Sequence, residues 1–350
     1  MGNAAPQRAI LTLEEQAASS IRIFQPAETR LVVLVPALNE RPTIQNVVER
    51  IPRAITGVDR VNIVVIDDGS TDDTGSIAAS AGAVIVRHPH PSGVGAAFQS
   101  GLRKAIEMGA DWIVSVDGDG QFAPEDIPKL LAPVLNGEAD FATASRFKDP
   151  RLVPHMPAMK RWGNQVVSRL VSWLTGARYY DVSCGMRAYN RTAALNLSLL
   201  EQFTYTHEVF LHLSAKRMKI TEVPIVVRGQ REFGTSRVAR SLLRYGLNTL
   251  RIVFRFYRDY YPLRFFGRIG AMCLSVGVML LGFLVYHYAR TQSFSPHKWA
   301  GFSGGGFCLL GCASLFMALV GDMLNRQRVY LEELLYHTRT LVSSDSRRVP

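Results

Sequence analysis

Ser115-Val116-Asp117-Gly118-Asp119-Gly120-Gln121 is the stretch on which the reading of the chain turns. An apolar run over 112–116 leads into it and reads as a buried strand bounded by turn residues. Asp117 and Asp119 therefore emerge together where that strand ends. Gly118 and Gly120 permit bends, and a close ligand approach, that a side chain would forbid. In open α/β sheets, ligands bind outside the carboxyl ends of the strands. Two carboxylates and the amide oxygen of Gln121 form a hard, all-oxygen set of the kind Mg²⁺ or Mn²⁺ accepts beside substrate phosphates. The competing reading is a polar turn whose aspartates only cap a helix starting near Pro124.

Upstream, strand and helix alternate. Strands are expected over 31–36, 61–67, 83–87 and 112–117. Asn39-Glu40-Arg41-Pro42 opens the first helix, with Pro42 in its first turn. Asp68-Gly69-Ser70-Thr71-Asp72-Asp73 makes a turn, with Ser70 as N-cap and acids in the next first turn. Gly93-Val94-Gly95-Ala96-Ala97 and Gly101 begin a helix whose small residues permit close packing, and 124–135 is another helix. Four βα units in succession predict a mostly parallel, Rossmann-like α/β sheet with helices on both faces. Glu40, Asp67, Asp68, Asp117 and Asp119 then gather on one edge as a nucleotide-sized site, at the switch in strand order.

Downstream the pattern loosens. A strand over 139–145 ends at Arg146, a helix over 156–175 carries Trp162 and Trp173, and Asp181-Val182-Ser183-Cys184-Gly185-Met186-Arg187 leads into another strand. His207-Glu208 reads as a helix start, with Glu208 near the positive dipole end. A closing strand over 219–228 contains Pro224 and belongs near an edge. His88, His90 and His155 lack ligand spacing and receive no role.

Composition narrows the class. With 47% hydrophobic and 20% charged residues, disorder is excluded for most of the 350 positions. Four cysteines, Cys184, Cys273, Cys308 and Cys312, show no disulfide framework, and Cys308 and Cys312 share a helix face as packing residues. The formal charge is +11, and over 228–268 ten Arg and no Lys stand against Glu232 and Asp259, a local +8. That block immediately precedes a long apolar run, which favours an anionic membrane surface over nucleic acid.

Over 241–266, Arg244, Arg251, Arg255, Arg258 and Arg264 interleave with Leu, Ile, Tyr and Phe, as in a helix lying in a membrane interface. Residues 269–289 and 300–321 carry no charge, and each is long enough to span a bilayer. Gly304-Gly305-Gly306 and Gly311 suit close helix contact. The short connection over 290–299 makes the pair a helical hairpin, which holds no midplane polar site of the kind a transporter needs. Arg264, Arg268, Arg326 and Arg328 outweigh Arg290 and Lys298, placing both termini in the cytoplasm. Asp322 falls at the interface, and a last mixed-charge helix covers 326–341. Met1-Gly2-Asn3 does not open a signal peptide and Pro6 breaks a myristoylation motif, so 1–28 is expected to be a peripheral extension with one helix near 11–23.

Together, Val35-Pro36-Ala37-Leu38-Asn39-Glu40, Ile66-Asp67-Asp68-Gly69-Ser70 and Asp117-Gly118-Asp119-Gly120-Gln121 resemble the family 2 glycosyltransferases, which have the GT-A fold. Within them, Arg231-Glu232-Phe233-Gly234-Thr235-Ser236-Arg237 and the terminal hairpin are similar to dolichyl-phosphate mannose synthase-like polyprenyl-phosphate glycosyltransferases. The resemblance covers about 30–325. It implies that Pro36, Glu40, Asp67 and Asp68 serve the nucleotide-sugar donor, and that Asp117, Asp119 and Gln121 hold Mg²⁺ or Mn²⁺ on its diphosphate. Arg231, Ser236 and Arg237 would close over that diphosphate. Arg146, Arg178 and Ser183 would meet the acceptor phosphate, with Asp119, Asp181 and Arg146 at the reaction centre. Two departures stand out: Arg237 where the family usually has Lys, and Pro91-Ser92 before Gly93 where Asn and a basic residue are usual.

The implied organisation is an extension over 1–28, a GT-A catalytic domain over 29–237 and basic juxtamembrane helices over 238–268. A transmembrane hairpin over 269–321 and a cytoplasmic helix and tail over 322–350 complete it. The implied reaction is an inverting, metal-dependent transfer of a hexose from GDP-mannose or a UDP-hexose to a dolichyl or undecaprenyl phosphate. The implied setting is the inner membrane, without nucleic acid and with room for a homo-oligomer. A phosphate acceptor is already ionised at neutral pH, so Asp181 is expected to position groups rather than act as an obligatory base. A processive polysaccharide synthase would carry Gln-x-x-Arg-Trp, whereas Arg161-Trp162 here follows Ala158-Met159-Lys160. The readings left beside it are a membrane-anchored glycosyltransferase with a non-lipid acceptor and a non-catalytic nucleotide-binding membrane subunit.

Overall fold

From Leu31 to Ala37 the first strand is buried at every position, so alternate side chains must feed two different cores. They do: Leu31, Val33 and Val35 join one apolar cluster, and Val32 and Leu34 join the other. The computed structural model describes residues 28–199, 205–229, 233 and 242–345. Its first elements are β1 (Arg30–Ala37), α1 (Ile44–Arg50), β2 (Arg60–Asp67), α2 (Thr74–Ser80), β3 (Val84–Arg87), α3 (Val94–Glu107) and β4 (Trp112–Ser115). They are followed by α4 (Ile127–Leu135), β5 (Phe141–Ser145), α5 (Ala158–Thr175), β6 (Arg187–Asn190), α6 (Arg191–Asn196), α7 (Thr206–Ala215) and β7 (Ile220–Pro224).

Among the described residues, seven strands lie in the order β3-β2-β1-β4-β6-β5-β7. β1 pairs in parallel with both β2 and β4, so the strand order reverses between β1 and β4 and opens a crevice at their carboxyl ends. β5 and β7 are also parallel, but β6 runs antiparallel to β4 and to β5, so the sheet is mixed. β7 is an edge strand, as Pro224 requires. α3 packs closely on β2, where a β-carbon on Gly101 would lie 2.7 Å from Ile66 Cδ1.

Local starts differ from expectation. Pro42 lies in a turn ahead of α1, whose N-cap position is Thr43. Asp73, not Ser70, stands at the N-cap of α2, and its first turn holds no acid. The reason is competition: Ser70 Oγ accepts the Asn39 amide at 2.9 Å, and Asp72 Oδ1 accepts the Thr74 amide at 3.0 Å.

The expected interfacial helix is two pieces. α8 (Leu242–Tyr260) ends before Pro262, which lacks an N–H and instead starts α9 (Pro262–Thr291). α10 (Lys298–Asp345) absorbs the separately expected last helix, because no Gly or Pro interrupts 322–341. The Asp322–Arg326 pair at 2.6 Å supports it there. α9 and α10 are long and apolar enough to cross a membrane. They meet along a glycine seam of equal spacing, Gly270 and Gly277 against Gly311 and Gly304, while Gly305 and Gly306 face open space. Past the seam, α10 lies on the globular domain, with Glu332 Oε2 3.1 Å from Lys216 Nζ and Arg339 Nη1 donating to the carbonyls of Leu195 and Leu197. The helix expected near 11–23 lies outside the described residues.

Candidate active site

The crevice between β1 and β4 is floored by Gly118, whose missing side chain lets it sit 3.3 Å from the Pro36 carbonyl and from Ala37 Cβ, measured from an added β-carbon. Thr43 Oγ1 donates to the Gly118 carbonyl at 2.7 Å, tying α1 to the aspartate loop. Asp119 is buried, and its Oδ1 accepts the Gln121 amide at 3.0 Å. Neither aspartate caps the next helix: Ala123 precedes the short 3₁₀ turn over Pro124–Asp126, without a side-chain cap bond. Gln121 Nε2 donates to the Arg228 carbonyl at 3.2 Å, so Oε1 is the amide atom left to accept.

These residues fit a divalent cation. Asp117, Asp119 and Gln121 offer two carboxylates and one amide oxygen, too few for an all-protein cage but the number Mg²⁺ uses when substrate phosphates and water complete its shell. Among the described residues no group of three His, Cys, Asp or Glu forms such a cage.

On the other side of the crevice, the Asp67-Asp68 turn is knitted to the 36–40 segment. Besides the Asn39–Ser70 bond, the Glu40 amide donates to Thr74 Oγ1 at 2.9 Å. Asp67 Oδ1 accepts the Ser70 amide at 2.8 Å. Asp68 builds a loop: Oδ1 accepts from His88 Nδ1 at 2.7 Å and the Ser92 amide at 2.9 Å, and Oδ2 accepts the Gly93 amide at 2.9 Å. His88 Nε2 lies 3.0 Å from Ser100 Oγ, so the imidazole bridges the turn to α3. Gly69, at φ 76°, packs against the backbone of His90, where a side chain would overlap it.

The two halves of the edge meet at Asp117, because Gly185 lies against its carboxylate. Gly185 belongs to the loop that carries Asp181 and Ser183. Arg146 Nε and Nη2 donate to Asp181 at 2.6 and 2.8 Å, and Nη2 also reaches Ser183 Oγ at 3.0 Å. Asp181 is fully buried; burial would raise its carboxyl, but the charge and hydrogen bonds of Arg146 outweigh that and hold it below the ordinary range. Beneath it, Glu222 on β7 accepts the amides of Tyr180 at 2.9 Å and Asp181 at 2.7 Å. Burial pushes the Glu222 carboxyl up, and those two amides offset part of the shift.

Arg187, also fully buried, fixes the loop from within by donating to the carbonyls of Cys184 at 2.8 Å and Val182 at 3.0 Å. Its guanidinium lies over Phe141, Tyr205 and Phe210, an aromatic lining that offsets part of the cost of burying a cation. His207, at the start of α7, is buried, and that burial, with Arg187 nearby, drives its imidazole down to about 3. It is therefore neutral at physiological pH, and Glu208 occupies the first turn.

Pro36, Glu40, Asp67, Asp68, Asp117, Asp119 and Gln121 thus share one edge, and Arg146, Asp181 and Ser183 form one network joined to it through Gly185. Arg178 stands outside that network, over the Tyr180 ring. Arg231, Ser236 and Arg237 lie outside the described residues. Sequence reasoning gave His88 no role, quoted Arg187 only as the end of a motif, and did not single out Glu222 or Asn164. The only advance signal was periodic: Asn164, Ser168 and Val171 fall on one buried stripe of α5.

The sequence profile described as "Glycosyl transferase family 2" matches residues 32–197. The chain is 31% identical over 219 residues to a UDP-N-acetylglucosamine–dolichyl-phosphate N-acetylglucosaminyltransferase of Methanococcus voltae, covering 57% of this chain and 86% of that protein. It is 32% identical over 229 residues to the polyprenol monophosphomannose synthase of Mycolicibacterium smegmatis, covering 61% and 83%. Among solved structures, glucosyl-3-phosphoglycerate synthase of Mycobacterium tuberculosis with Mn²⁺, uridine diphosphate and glucosyl-3-phosphoglycerate superposes with a TM-score of 0.52 at 23% identity, over 65% of this chain and 80% of that one. That likeness establishes the GT-A-like fold.

Proposed function

Because the chain belongs to glycosyltransferase family 2, we propose that it transfers a hexose from a nucleotide sugar, GDP-mannose or a UDP-hexose, to the phosphate of a polyprenyl phosphate at a membrane surface. The observation that carries the reading is the Asp117–Gly185 contact, which joins the acidic loop after β4 to the loop that holds the Arg146 guanidinium. The names of the two relatives, with their dolichyl-phosphate and polyprenol acceptors, support the acceptor class. The two apolar helices and the exposed Trp162 and Trp173 of α5 support the membrane setting, and Arg264, Arg268, Arg326 and Arg328 against Arg290 and Lys298 support cytoplasmic termini.

In this reading a phosphate oxygen of the lipid attacks the anomeric carbon as the bond to the nucleoside diphosphate breaks, with inversion, and the bonding pair leaves on the diphosphate. The transition state is oxocarbenium-like. The acceptor is mostly dianionic at neutral pH, so no side chain need remove a proton. Asp67 and Asp68 shape the donor pocket, and Arg231, Ser236 and Arg237, which follow in sequence the Arg228 carbonyl that Gln121 holds, close over the diphosphate. Arg146 draws the acceptor phosphate toward an anionic donor, the costliest approach in the reaction. Asp181 keeps that guanidinium aimed. A divalent cation held by Asp117, Asp119 and Gln121 would neutralise charge on the departing diphosphate.

The test uses full-length protein with a short polyprenyl phosphate, Mg²⁺ or Mn²⁺, and a panel of sugar nucleotides. One donor should yield labelled lipid, a chelator should stop the reaction, and added cation should restore it. Absence of labelled lipid with every donor would overturn the reading.

A further inference from the structure

Three polar side chains on α5, Asn164, Ser168 and Ser172, recur every fourth residue and face the segment that carries Asp181. Ser172 Oγ accepts the Tyr179 amide at 2.9 Å, Ser168 Oγ accepts the Val182 amide at 3.3 Å, and Asn164 Oδ1 lies 3.1 Å from Ser183 Oγ. The opposite face of the helix exposes Met159, Trp162 and Trp173. Resting on the lipid-phosphate reading above, we infer that Asn164 is a positioning residue that couples α5 to the guanidinium of Arg146.

The argument is one of hydrogen-bond valence. Ser183 Oγ accepts from Arg146 Nη2 and lies 3.1 Å from two acceptors, Asn164 Oδ1 and Asp181 Oδ1, yet has one proton to give. In that orientation Asn164 Nδ2 is buried without a partner. Turning the amide over exchanges its nitrogen and oxygen in place, which puts Oδ1 in the unpartnered position but ends the competition for the hydroxyl proton. Nδ2 then donates to Ser183 Oγ, the hydroxyl proton goes to Asp181, and Ser183 uses one donor and two acceptor positions. The chain amide, hydroxyl, carboxylate, guanidinium is then continuous from α5 to the acceptor-facing cation. Each bond in that network restrains the group at its far end, so the placement of the guanidinium depends on the amide as well as on the carboxylate.

The test compares full-length wild type with Asn164→Ala and Asn164→Asp in transfer to a polyprenyl phosphate, with direct binding of that lipid measured alongside. Asn164→Ala should raise the acceptor KM about tenfold and leave the donor KM within about twofold. In Asn164→Asp the new carboxylate can only accept while ionised, competing with Asp181; once protonated it can donate as the amide does. Its activity relative to wild type should therefore rise about tenfold between about pH 8 and about pH 5.5, while the Asn164→Ala ratio stays flat. An acceptor KM within about twofold of wild type in both variants would overturn the inference. So would equal loss with both substrates and no pH dependence, the pattern of a merely structural residue. Either result with an active wild type leaves the lipid-phosphate reading standing, whereas a wild type that neither binds nor glycosylates the lipid overturns both.

Discussion

Gly185 and Asp117 are packed so closely that an added β-carbon would overlap Oδ2 and stand 3.0 Å from Cγ of the carboxylate. The loop that holds the guanidinium network and the loop that ends β4 thus share one contact with no spare volume.

Gly185→Ala should separate these loops. The expected outcome is a loss of transfer of about 10- to 100-fold in kcat/KM, because misplacement of about 1 Å carries that order of penalty. Transfer kinetics, with thermal melting to confirm a folded protein, make the check. Near-wild-type turnover would mean that the loops need not touch.

Asp181→Asn should raise the acceptor KM while keeping measurable turnover, since the residue aims Arg146. Abolished turnover with unchanged affinity for donor and lipid would instead identify an obligatory base. The pH dependence of stability follows by sign: the folded-state carboxyl lies below its unfolded value, so its stabilisation is present above about pH 4 and fades as pH falls through the folded value. Melting curves should therefore show the gap between wild type and variant narrowing on the acid side.

His88→Ala should act on the donor alone. Removing the imidazole deletes the 2.7 Å bond to Asp68 and the link to Ser100. A several-fold rise in donor KM, about 1 kcal/mol for one hydrogen bond, is expected with the acceptor KM unchanged. Competition by the free nucleoside diphosphate gives an independent readout.

The glycine seam predicts a contrast within α9 and α10. A methyl at Gly277 would meet Cys308 Sγ at 2.6 Å and the Gly304 carbonyl at 2.9 Å, whereas one at Gly305 meets nothing within 4 Å. Gly277→Ala should lower the melting temperature in detergent, at about 1–3 kcal/mol for overpacking, and Gly305→Ala should leave it unchanged.

The parallel half of the sheet and its acidic edge were legible because period and turn chemistry are local: runs such as 61–67 and 112–117 end in aspartate and glycine turns. The reversal of β6 was not, since a four-residue strand carries no mark of its direction, which is set by its pairing with β4 and β5. The division of 241–266 into two helices was hidden by its continuous basic and aromatic pattern, although Pro262, which lacks an N–H, suits the first position of a helix. Glu222, His88 and Asn164 escaped for another reason: each acts on a partner 19 to 42 residues away, and spacing along the chain says nothing about such meetings.

The uninterrupted course of α10 leaves no joint between its apolar stretch and the part that rests on Lys216 and Leu195. Its 48 residues make a rod of about 72 Å. In the proposed membrane setting, a change in bilayer thickness that leans the rod leans the sheet edge with it, as a mast moves the deck to which it is stepped. Vesicles of graded acyl length would reveal this as a rate optimum at one thickness, and a flat response would show that the lean is absorbed elsewhere.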